Sequence, residues 1–530
     1  NTHQPTLKKA EAYQVTFSQG RIDFRNTINE IETHTEIVVS PEDDIEMRRL
    51  HITNISRKRK TIEITSYAEV VLAPPDSDLM QPAFSNLFVQ TEIIPTQHAI
   101  VCTRRPRSNE QTPWMFHLMT MQEKEPEEIS YETDRMAFIG RGNTNTDPSA
   151  MRRSGPLSGS QGSVLDPIVA IRYKISLESD ETVTLDMIIG VAETKDICTQ
   201  LVRKYQDKSL KDRVFGLAWT HSQVVLRQIN ASEADAQLYG HFASSILFMN
   251  SAFRAEPSIL INNHRGQSGL WGYSISGDLP IVLLKVERQD NIQLVRQLIQ
   301  AHSYWRLKGI AVDLVIWNED HGGYRQVFQN EIHDLIPSEL IDKPGGIFVR
   351  ASDQISNEDR ILFETVSRIN ISDNGGTLSD HVKRKPLGKL AIPYLKAVAT
   401  REPALKSLSI PTDLVFYNGI GGFKPDGREY IIIVDAHNKT PAPWINVLAN
   451  RNFGTIVSES GSAYTWAENA HEFRLTPWSN DPVSDSNTEA FYIRDEETGH
   501  FWSTSLLPSG DESPYIARHG FGYSVFEHMK

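Results

Sequence analysis

Residues 168–189 read IVAIRYKISLESDETVTLDMII, in which two apolar, alternating segments flank a short polar one. Ile168–Leu177 and Thr182–Ile189 are rich in β-branched side chains, which pack well on a pleated surface and therefore favour strands. Glu178-Ser179-Asp180 between them supplies side chains that hydrogen-bond nearby backbone and favour a turn. This stretch predicts two β-strands separated by a tight turn.

The same alternation extends upstream over most of residues 13–186. Four further segments fit the strand pattern: His34–Val39, Glu46–Ile52, Thr61–Val71 and Ala99–Thr103. Several antiparallel strands with polar turns between them indicate a large β-sandwich. The polar stretch from Gly140 to Gly162 interrupts the pattern, and it is either a mobile surface loop or a loop that reaches toward a ligand.

The middle of the chain has a different period. Apolar residues recur at helical spacing from Thr194 to Phe253, which predicts a connector of two or three helices. Four short apolar segments then alternate with helical ones and predict a small parallel sheet covered by helices: Pro280–Val286, Ile310–Trp317, Gly346–Arg350 and Arg368–Ser372. Glu319-Asp320-His321-Gly322-Gly323 follows the second of these, at the end where parallel sheets bind ligands. No phosphate-binding glycine pattern follows any strand, so we interpret this layer as a spacer.

Composition restricts the class of protein. A net charge of −13 argues against nucleic acid as a partner, because phosphate contacts need a clustered positive surface. The two cysteines, Cys102 and Cys198, cannot form a disulfide framework. No apolar stretch approaches the ~20 residues that span a bilayer, so we expect no membrane segment here. The chain begins with Asn1 rather than Met, and we therefore expect that its start has been cut or processed.

The two ends of the chain resemble each other. Three residues near the start share their spacing with three near the end: Tyr13, Gly20 and Phe24 match Tyr515, Gly522 and Phe526. The chain then spans about one period of a repeat, starting midway through one sandwich and stopping midway through a second. Such terminal pieces have the means to complement each other, within one chain or between two, with the strand around Tyr13–Phe24 beside strands of residues 413–530.

Several motifs carry a family resemblance. In the last part of the chain these are GIGGF at 419–423, PAPWINV at 441–447, YTW at 464–466, LTPWSNDPV at 475–483 and FYIRDEETG at 491–499. They resemble the first sandwich of family-94 glycoside phosphorylases, and still more the version found in cyclic β-1,2-glucan synthases. The middle agrees through GQSGLW at 266–271 and ISGDLPIV at 275–282, and the first part through VSPEDD at 39–44 and TRRPRS at 103–108. The resemblance covers nearly the whole chain.

The resemblance implies that this chain is an interior segment of a larger bacterial enzyme. That parent would hold a membrane-anchored glycosyltransferase module, a ring-closing module and a C-terminal phosphorylase-like module, with UDP-glucose as donor and phosphate as a further reactant. The family's catalytic centres would lie before Asn1 and after Lys530, so we expect no catalytic residue and no cofactor within this chain. The implied partners are a β-1,2-glucan or other glucan chain and the other modules of the same polypeptide. The implied location is the cytoplasmic side of the bacterial inner membrane, through the parent protein.

The predicted fold is mainly β with an α/β middle, and the resemblance implies large sandwiches of the galactose-mutarotase-like super-sandwich type. We predict five segments: the later part of a first β-sandwich (1–193), a helical connector (194–260), a small α/β domain (261–382), a linker (383–412) and the early part of a second β-sandwich (413–530). Two alternative functions remain open at this point. In the first alternative the chain is the N-terminal part of a free β-1,2-oligoglucan phosphorylase. In the second it is a self-standing carbohydrate-binding module.

Aromatic side chains are the best candidates for sugar contact, because they bury the apolar faces of sugar rings and leave hydroxyls free to hydrogen-bond. Four residues in the last segment fit this role: Trp444, Tyr464, Trp466 and Trp478. Arg474 and Asn480 are candidates for the polar side of the same site. The same aromatics are equally suited to filling a sandwich core. The histidines show no spacing typical of a metal motif, and no metal site is predicted.

Overall fold

The computed structural model describes residues 4–106, 112–320, 325–383, 393–398 and 408–529. The protein divides into two compact units: unit 1 comprises Asn1–Thr16, Ile22–Phe215 and Pro393–Lys530, and unit 2 comprises Phe17–Arg21 and Gly216–Ile392. The predicted linker 383–412 falls largely outside the described residues, as does the His321–Gly323 part of the motif after the second apolar segment. The five predicted segment boundaries stay a prediction.

The described residues of the N-terminal part of the chain form twelve strands: β1 Ala12–Ser18, β2 Arg21–Ile28, β3 Ile31–Val39, β4 Ile45–Asn54, β5 Lys60–Thr65, β6 Ala68–Glu69, β7 Val89–Ile94, β8 Ala99–Arg104, β9 Trp114–Met121, β10 Glu128–Asp134, β11 Pro167–Leu177 and β12 Thr182–Ala192. Eight of them form one sheet in the order β1-β2-β3-β4-β12-β9-β8-β7. A second sheet has the order β10-β11-β5, with β6 also paired to β11. The mainly β prediction is confirmed.

Strand β11 explains why residues 168–189 decide this part of the fold. Nearly every residue of β11 is buried, and Ile171 and Tyr173 pack in one core with Met119 and Leu185 of the larger sheet. The predicted turn after it does not close a hairpin. It carries the chain from one sheet to the other, because β11 pairs with β10 and β5 whereas β12 pairs with β4 and β9.

Where this region is described, five helices accompany the strands: α1 Pro75–Met80, α2 Pro82–Asn86, α3 Arg135–Ile139, α4 Lys195–Lys204 and α5 Lys208–Gln228. The start of α5 covers a polar part of the larger sheet. Asp186 there is fully buried and accepts hydrogen bonds from Arg49 at 2.7 Å and from Gln122 at 2.6 Å, and Lys211 of α5 lies 3.3 Å from it. A buried carboxylate is tolerated when such partners replace its water.

Unit 2 is the predicted α/β layer. Its strands are β13 Ile281–Val286, β14 Asp313–Asn318, β15 Ile347–Ala351 and β16 Ile369–Ser372, all parallel, in the order β15-β14-β13-β16. The helices are α6 Glu233–Leu247, α7 Pro257–Ile261, α8 Ser268–Trp271, α9 Ile292–Leu307, α10 Arg325–Asp334, α11 Asn357–Val366 and α12 Leu378–Val382. The α/β middle is therefore confirmed, and strands buried on both faces account for its continuous apolar runs.

The C-terminal part of unit 1 is built from short antiparallel strands: β17 Gly421–Phe423, β18 Glu429–Val434, β19 Ile445–Ala449, β20 Phe453–Ser458, β21 Ala463–Ala467, β22 Tyr492–Arg494, β23 Phe501–Ser503, β24 Tyr515–Gly520 and β25 Tyr523–Glu527. They form sheets in the orders β17-β18-β24-β25, β19-β20-β21 and β22-β23. No helix of the described ranges is both long and apolar enough to cross a membrane.

The two sequence repeats adopt the same local structure. β1 and β2 flank a two-residue turn with Gly20 at φ +78°, and β24 and β25 flank one with Gly522 at φ +83°. The predicted pairing of the Tyr13–Phe24 strand with strands of residues 413–530 is wrong. Within the described part of the chain, every sheet draws its strands from one segment only, and β1 pairs with β2. The terminal segments meet instead through side-chain contacts and a backbone hydrogen bond from Gly142 to Val483.

Candidate functional site

The C-terminal part of unit 1 contains a pocket of about 180 Å³. Its wall includes Tyr464, Trp478 and Asn480, three of the six residues predicted to contact sugar, together with Asp481 and Asp485. Tyr464 lies on β21, and the other four lie on the loop that follows it. The structure therefore gathers one aromatic pair and a polar run around a single cavity.

Trp466 and Arg474 do not line the pocket but extend the aromatic group behind it. The ring of Tyr464 stacks on that of Trp478 at 4.8 Å and packs against that of Trp466 at 5.3 Å. The guanidinium of Arg474 lies 5.9 Å from the centre of the Trp478 ring. We call Trp466, Tyr464, Trp478 and Arg474 the stacked ladder.

Gly454 lies beside Trp466, at the end of the stacked ladder opposite Arg474. Gly454 pairs with Trp466 across β20 and β21, and a Cβ on Gly454 would lie 2.2 Å from the indole. The ladder thus covers ring faces that a sugar would need for stacking. Open stacking on Tyr464 is blocked on both sides, whereas the face of Trp478 is covered only by a charged, movable side chain.

Trp444 lies apart from the ladder. Its indole packs edge-on against Tyr430 at 6.0 Å, beside the core formed by Ile432 and Val434. Its backbone N–H donates to Glu459 at 2.7 Å, and its carbonyl accepts from His519 at 3.1 Å. Trp444 is partly buried and packs against this core, as in the other interpretation of its sequence signal.

An arginine from the N-terminal segment fixes the polar wall of the pocket. Arg135 of α3 donates to both carboxylate oxygens of Asp481, at 2.8 and 2.9 Å, and to Asp166 at 2.9 Å. Burial alone would raise the pKa of Asp481, but the hydrogen bonds from Arg135 hold that pKa below its usual value. Asp481 also accepts from the backbone N–H groups of Val483 and Ser484, which sets the loop conformation.

A second arginine makes the same kind of contact. Arg141 donates to Glu459 at 3.1 Å and to Asp485 at 2.9 Å, and Lys439 donates to its carbonyl at 3.1 Å. Burial raises the pKa of Glu459, partly offset by hydrogen bonding from Thr440 and by the charge of Arg141. Both carboxylate oxygens of Glu459 are engaged, one by Arg141 and Thr440 and the other by the Trp444 backbone. These contacts give Glu459 a structural role.

Sequence reasoning missed both arginines. Arg135 precedes the polar stretch Gly140–Gly162 and Arg141 stands at its start, where a loop reaching toward a ligand was one of the two interpretations. The N–H of Gly142 also donates to Val483 at 2.6 Å. The only signal was therefore positional, since nothing local to an arginine reveals a carboxylate more than 300 residues away.

The pocket offers little to a metal ion or a reacting bond. Among the described residues that line it there are two carboxylates and neither histidine nor cysteine, and arginine holds both carboxylates. Glycoside hydrolysis commonly needs two carboxyl groups facing one bond from opposite sides. The arrangement is suited to hydrogen-bonding hydroxyl groups.

Comparisons with known proteins agree with this architecture. The family model for the glycosyl hydrolase 94 supersandwich domain matches residues 1–208 and 428–530. The chain is 30% identical over 546 residues to the cyclic beta-(1,2)-glucan synthase NdvB of Rhizobium meliloti (strain 1021), a match that covers 99% of this chain and 19% of that protein. It is also 36% and 34% identical to the N,N'-diacetylchitobiose phosphorylases of Vibrio furnissii and Vibrio proteolyticus, in each case over 20% of this chain and 13% of the relative.

The match covers nearly all of this chain, but the chain spans only about a fifth of the length of the synthase. The family match covers most of unit 1, and the matched residues contain β1–β12, β18–β25, the stacked ladder and both arginines beside the pocket. The chain belongs to the glycosyl hydrolase 94 supersandwich domain family.

Proposed function

We propose that this chain is a scaffold and glucan-contacting segment of a cyclic β-1,2-glucan synthase, and that the pocket beside the stacked ladder binds one glucosyl unit. The pocket carries this proposal, because it combines an aromatic pair with Asn480, Asp481 and neighbouring hydroxyl groups in a cavity of about 180 Å³. Sites for drug-sized ligands usually have about 300–1,000 Å³, so this one suits a single ring of a longer chain.

A glucosyl ring that extends from the pocket onto the face of Trp478 requires that Arg474, which does not line the pocket, leave that face. The cost is small, because its Nη2 has only the carbonyl of Met80 at 3.3 Å as a partner and its Nε is buried with no hydrogen-bond partner in the described part of the chain. A glucosyl ring would then stack on Trp478 while its hydroxyls meet Asn480 and the carboxylates of the wall. Arg474, once displaced, is free to donate to a ring hydroxyl.

We assign no bond-making step to this segment. Its relevant carboxylates are each held by an arginine, which supports a positioning role. UDP-glucose and phosphate would be handled by other modules of the same polypeptide, and those modules would also place the protein at the cytoplasmic side of the bacterial inner membrane. The partners of this segment are then a β-1,2-glucan chain and those modules.

Binding of β-1,2-linked glucosides tests the proposal. At about −0.3 kcal/mol per non-hydrogen atom, one glucosyl unit of about twelve such atoms gives a Kd of about 2 mM. Saturation-transfer NMR and calorimetry with β-1,2-gluco-oligosaccharides should detect this, and Asn480→Gly should weaken it. Asn480 has φ +48°, a backbone conformation that glycine adopts freely, so this variant removes the amide without straining the loop.

Two further variants complete the experiment. Trp478→Ala should abolish binding, whereas Trp219→Ala, which removes an indole that is 62% exposed in unit 2, should leave it unchanged. Binding that survives both Trp478→Ala and Asn480→Gly would contradict the assignment of the pocket.

Turnover assays separate this proposal from a free phosphorylase. The purified chain should neither form glucan from UDP-glucose nor phosphorolyse β-1,2-gluco-oligosaccharides. Turnover abolished by a substitution within the chain would show that it holds an active site, and would favour the phosphorylase alternative.

A further inference from the structure

Two histidines and two acidic residues share one face of the larger sheet at its β2–β3–β4 region. Asp23 of β2 lies directly opposite Glu36 of β3, and His34 of β3 lies directly opposite His51 of β4. His34 and Glu36 are two residues apart on one strand, so their side chains point to the same face. The pairing register therefore brings two imidazoles and two carboxylates into one cluster.

The distances within the cluster suit a metal ion. One ligand atom each from His34, Glu36 and His51 can be chosen so that all lie within 4.8 Å of one another. His51 Nε2 lies 3.3 Å from Glu36 Oε2, and His34 Nε2 lies 3.0 Å from Asp23 Oδ1. Ligands at about 2.0–2.2 Å from a tetrahedral zinc ion are separated by about 3.4 Å, so only small side-chain rotations are needed.

The surroundings hold these side chains in place without closing the cluster off. Asp23 and Glu36 have side chains only 12% and 14% exposed, and His51 is 35% exposed. The other ring nitrogen of His51, Nδ1, lies 3.2 Å from the hydroxyl of Thr184 on β12, a partner that can orient the ring for coordination through Nε2. The rings of His34 and His51 are stacked at 5.7 Å.

The cationic side chain that strand pairing places opposite Glu36 forms its ion pairs with other residues. Arg49 lies opposite Glu36 on β4, but its guanidinium donates to Asp186 at 2.7 Å and to Asp212 at 2.6 Å. Arg25, opposite His34, is exposed. Arg49 therefore directs its charge to Asp186 and Asp212.

We infer that His34, Glu36 and His51 form a binding site for a divalent transition-metal ion of the zinc type, with Asp23 as fourth ligand or as the acceptor that orients His34. Two imidazoles with carboxylate select zinc-like ions over magnesium and calcium, which take oxygen ligands. The site joins three adjacent strands of the larger sheet. It lies apart from the pocket and is independent of the proposed sugar binding.

Metal titration of the whole chain, after treatment with a chelator, tests this inference. One equivalent of Zn²⁺ should bind and raise Tm, whereas Mg²⁺ and Ca²⁺ should do neither. His51→Ala and Glu36→Gln should each weaken Zn²⁺ binding by about tenfold to a hundredfold or more, given that even orienting partners of metal ligands contribute that much. Glu36→Gln keeps the size of the side chain and so guards against misfolding of the variant.

A matched control excludes adventitious binding by surface histidine. His471 pairs with the neighbouring Glu472 at 2.7 Å and belongs to no cluster of three ligands among the described residues. His471→Ala should leave the affinity unchanged. Bound Co²⁺ should show visible absorption of four-coordinate intensity, lost in His34→Ala. The absence of stoichiometric Zn²⁺ binding would overturn the inference. So would a Zn²⁺ affinity in the His51→Ala and Glu36→Gln variants equal to that of the wild type.

Discussion

The guanidinium of Arg135 donates to both carboxylate oxygens of Asp481, at 2.8 and 2.9 Å, across 346 residues of sequence. Bidentate pairing of this kind fixes orientation as well as distance. It ties α3 in the N-terminal segment to the pocket loop in the C-terminal segment, and both segments belong to unit 1. A residue of the N-terminal segment, Arg135, therefore positions the wall of the candidate sugar pocket.

Removing Arg135 should destabilise unit 1. The side chain is 11% exposed, and Arg135→Ala leaves Asp481 and Asp166 without their cation, which typically costs about 3–5 kcal/mol for a buried pair. Urea unfolding followed by tryptophan fluorescence should show a lower midpoint. Arg152→Ala is the control, because Arg152 and Asp147 are about 60% exposed and their pair should contribute nothing measurable. Equal midpoints for the two variants would contradict this account.

His117 should make unit 1 sensitive to acid. Burial, assisted by the charge of Arg48, lowers its pKa from 6.5 to about 3. Below pH 6.5 the unfolded chain therefore binds a proton that the folded chain does not, so stability falls as the pH drops from about 6.5 toward about 3. His117→Asn removes this titrating group. Its urea midpoint should fall less steeply than that of the wild type between pH 6.5 and 4, and parallel pH profiles would refute the assignment.

A methyl group at Gly454 should disrupt the stacked ladder. The added Cβ would lie 2.2 Å from the indole of Trp466, which must then move away from Tyr464. Gly454→Ala should lower the unfolding midpoint and weaken β-1,2-gluco-oligosaccharide binding together. Gly240→Ala serves as the control, because a Cβ there meets nothing within 4 Å and alanine favours the helix α6 by about 1 kcal/mol. Unchanged sugar binding in Gly454→Ala would show that the packing of the stacked ladder does not support the pocket.

The repeat hairpins should differ in their tolerance of alanine. Gly522 has φ +83° and open space around its Cα, so Gly522→Ala meets only backbone strain of about 1 kcal/mol, and Gly522→Asn less. Gly20 has φ +78°, and a Cβ there would also lie 2.9 Å from the carbonyl oxygen of Ala218. Gly20→Ala should therefore lower Tm more than Gly522→Ala. Equal losses of Tm, or the reverse order, would contradict the close approach of Gly20 to the carbonyl oxygen of Ala218.

The sequence predicted the elements that depend on the local periodicity of apolar residues. It failed to predict contacts between residues that are distant in sequence. Strand alternation located β11 and β12, and strand–helix alternation located the parallel sheet of unit 2. The same alternation could not show that the turn between β11 and β12 crosses from one sheet to the other, because residues buried on both faces look alike in either arrangement.

The candidate site shows the same division. Tyr464, Trp478 and Asn480 carried a compositional signal and lie at the pocket, whereas Trp444 carried the same signal and packs against a core. Arg135 and Arg141 carried none, since their partners lie more than 300 residues away. The cluster of His34, Glu36 and His51 spans two strands, and its only local trace is a His-x-Glu spacing on β3.

The two segments of unit 1 should open together when their contact is weakened. Val483 is 1% exposed and packs with Phe138, Ile139 and Ile168 of the N-terminal segment. Val483→Ala removes two methyl groups from that cluster, a loss of about 2 kcal/mol. Hydrogen–deuterium exchange read by mass spectrometry should then rise in residues 481–485 and in α3 to similar extents. The parallel strands β13–β16 belong to unit 2 and should exchange as in the wild type. If exchange rose only in residues 481–485, the loop would be opening alone, and the contact between the segments would not hold unit 1 together.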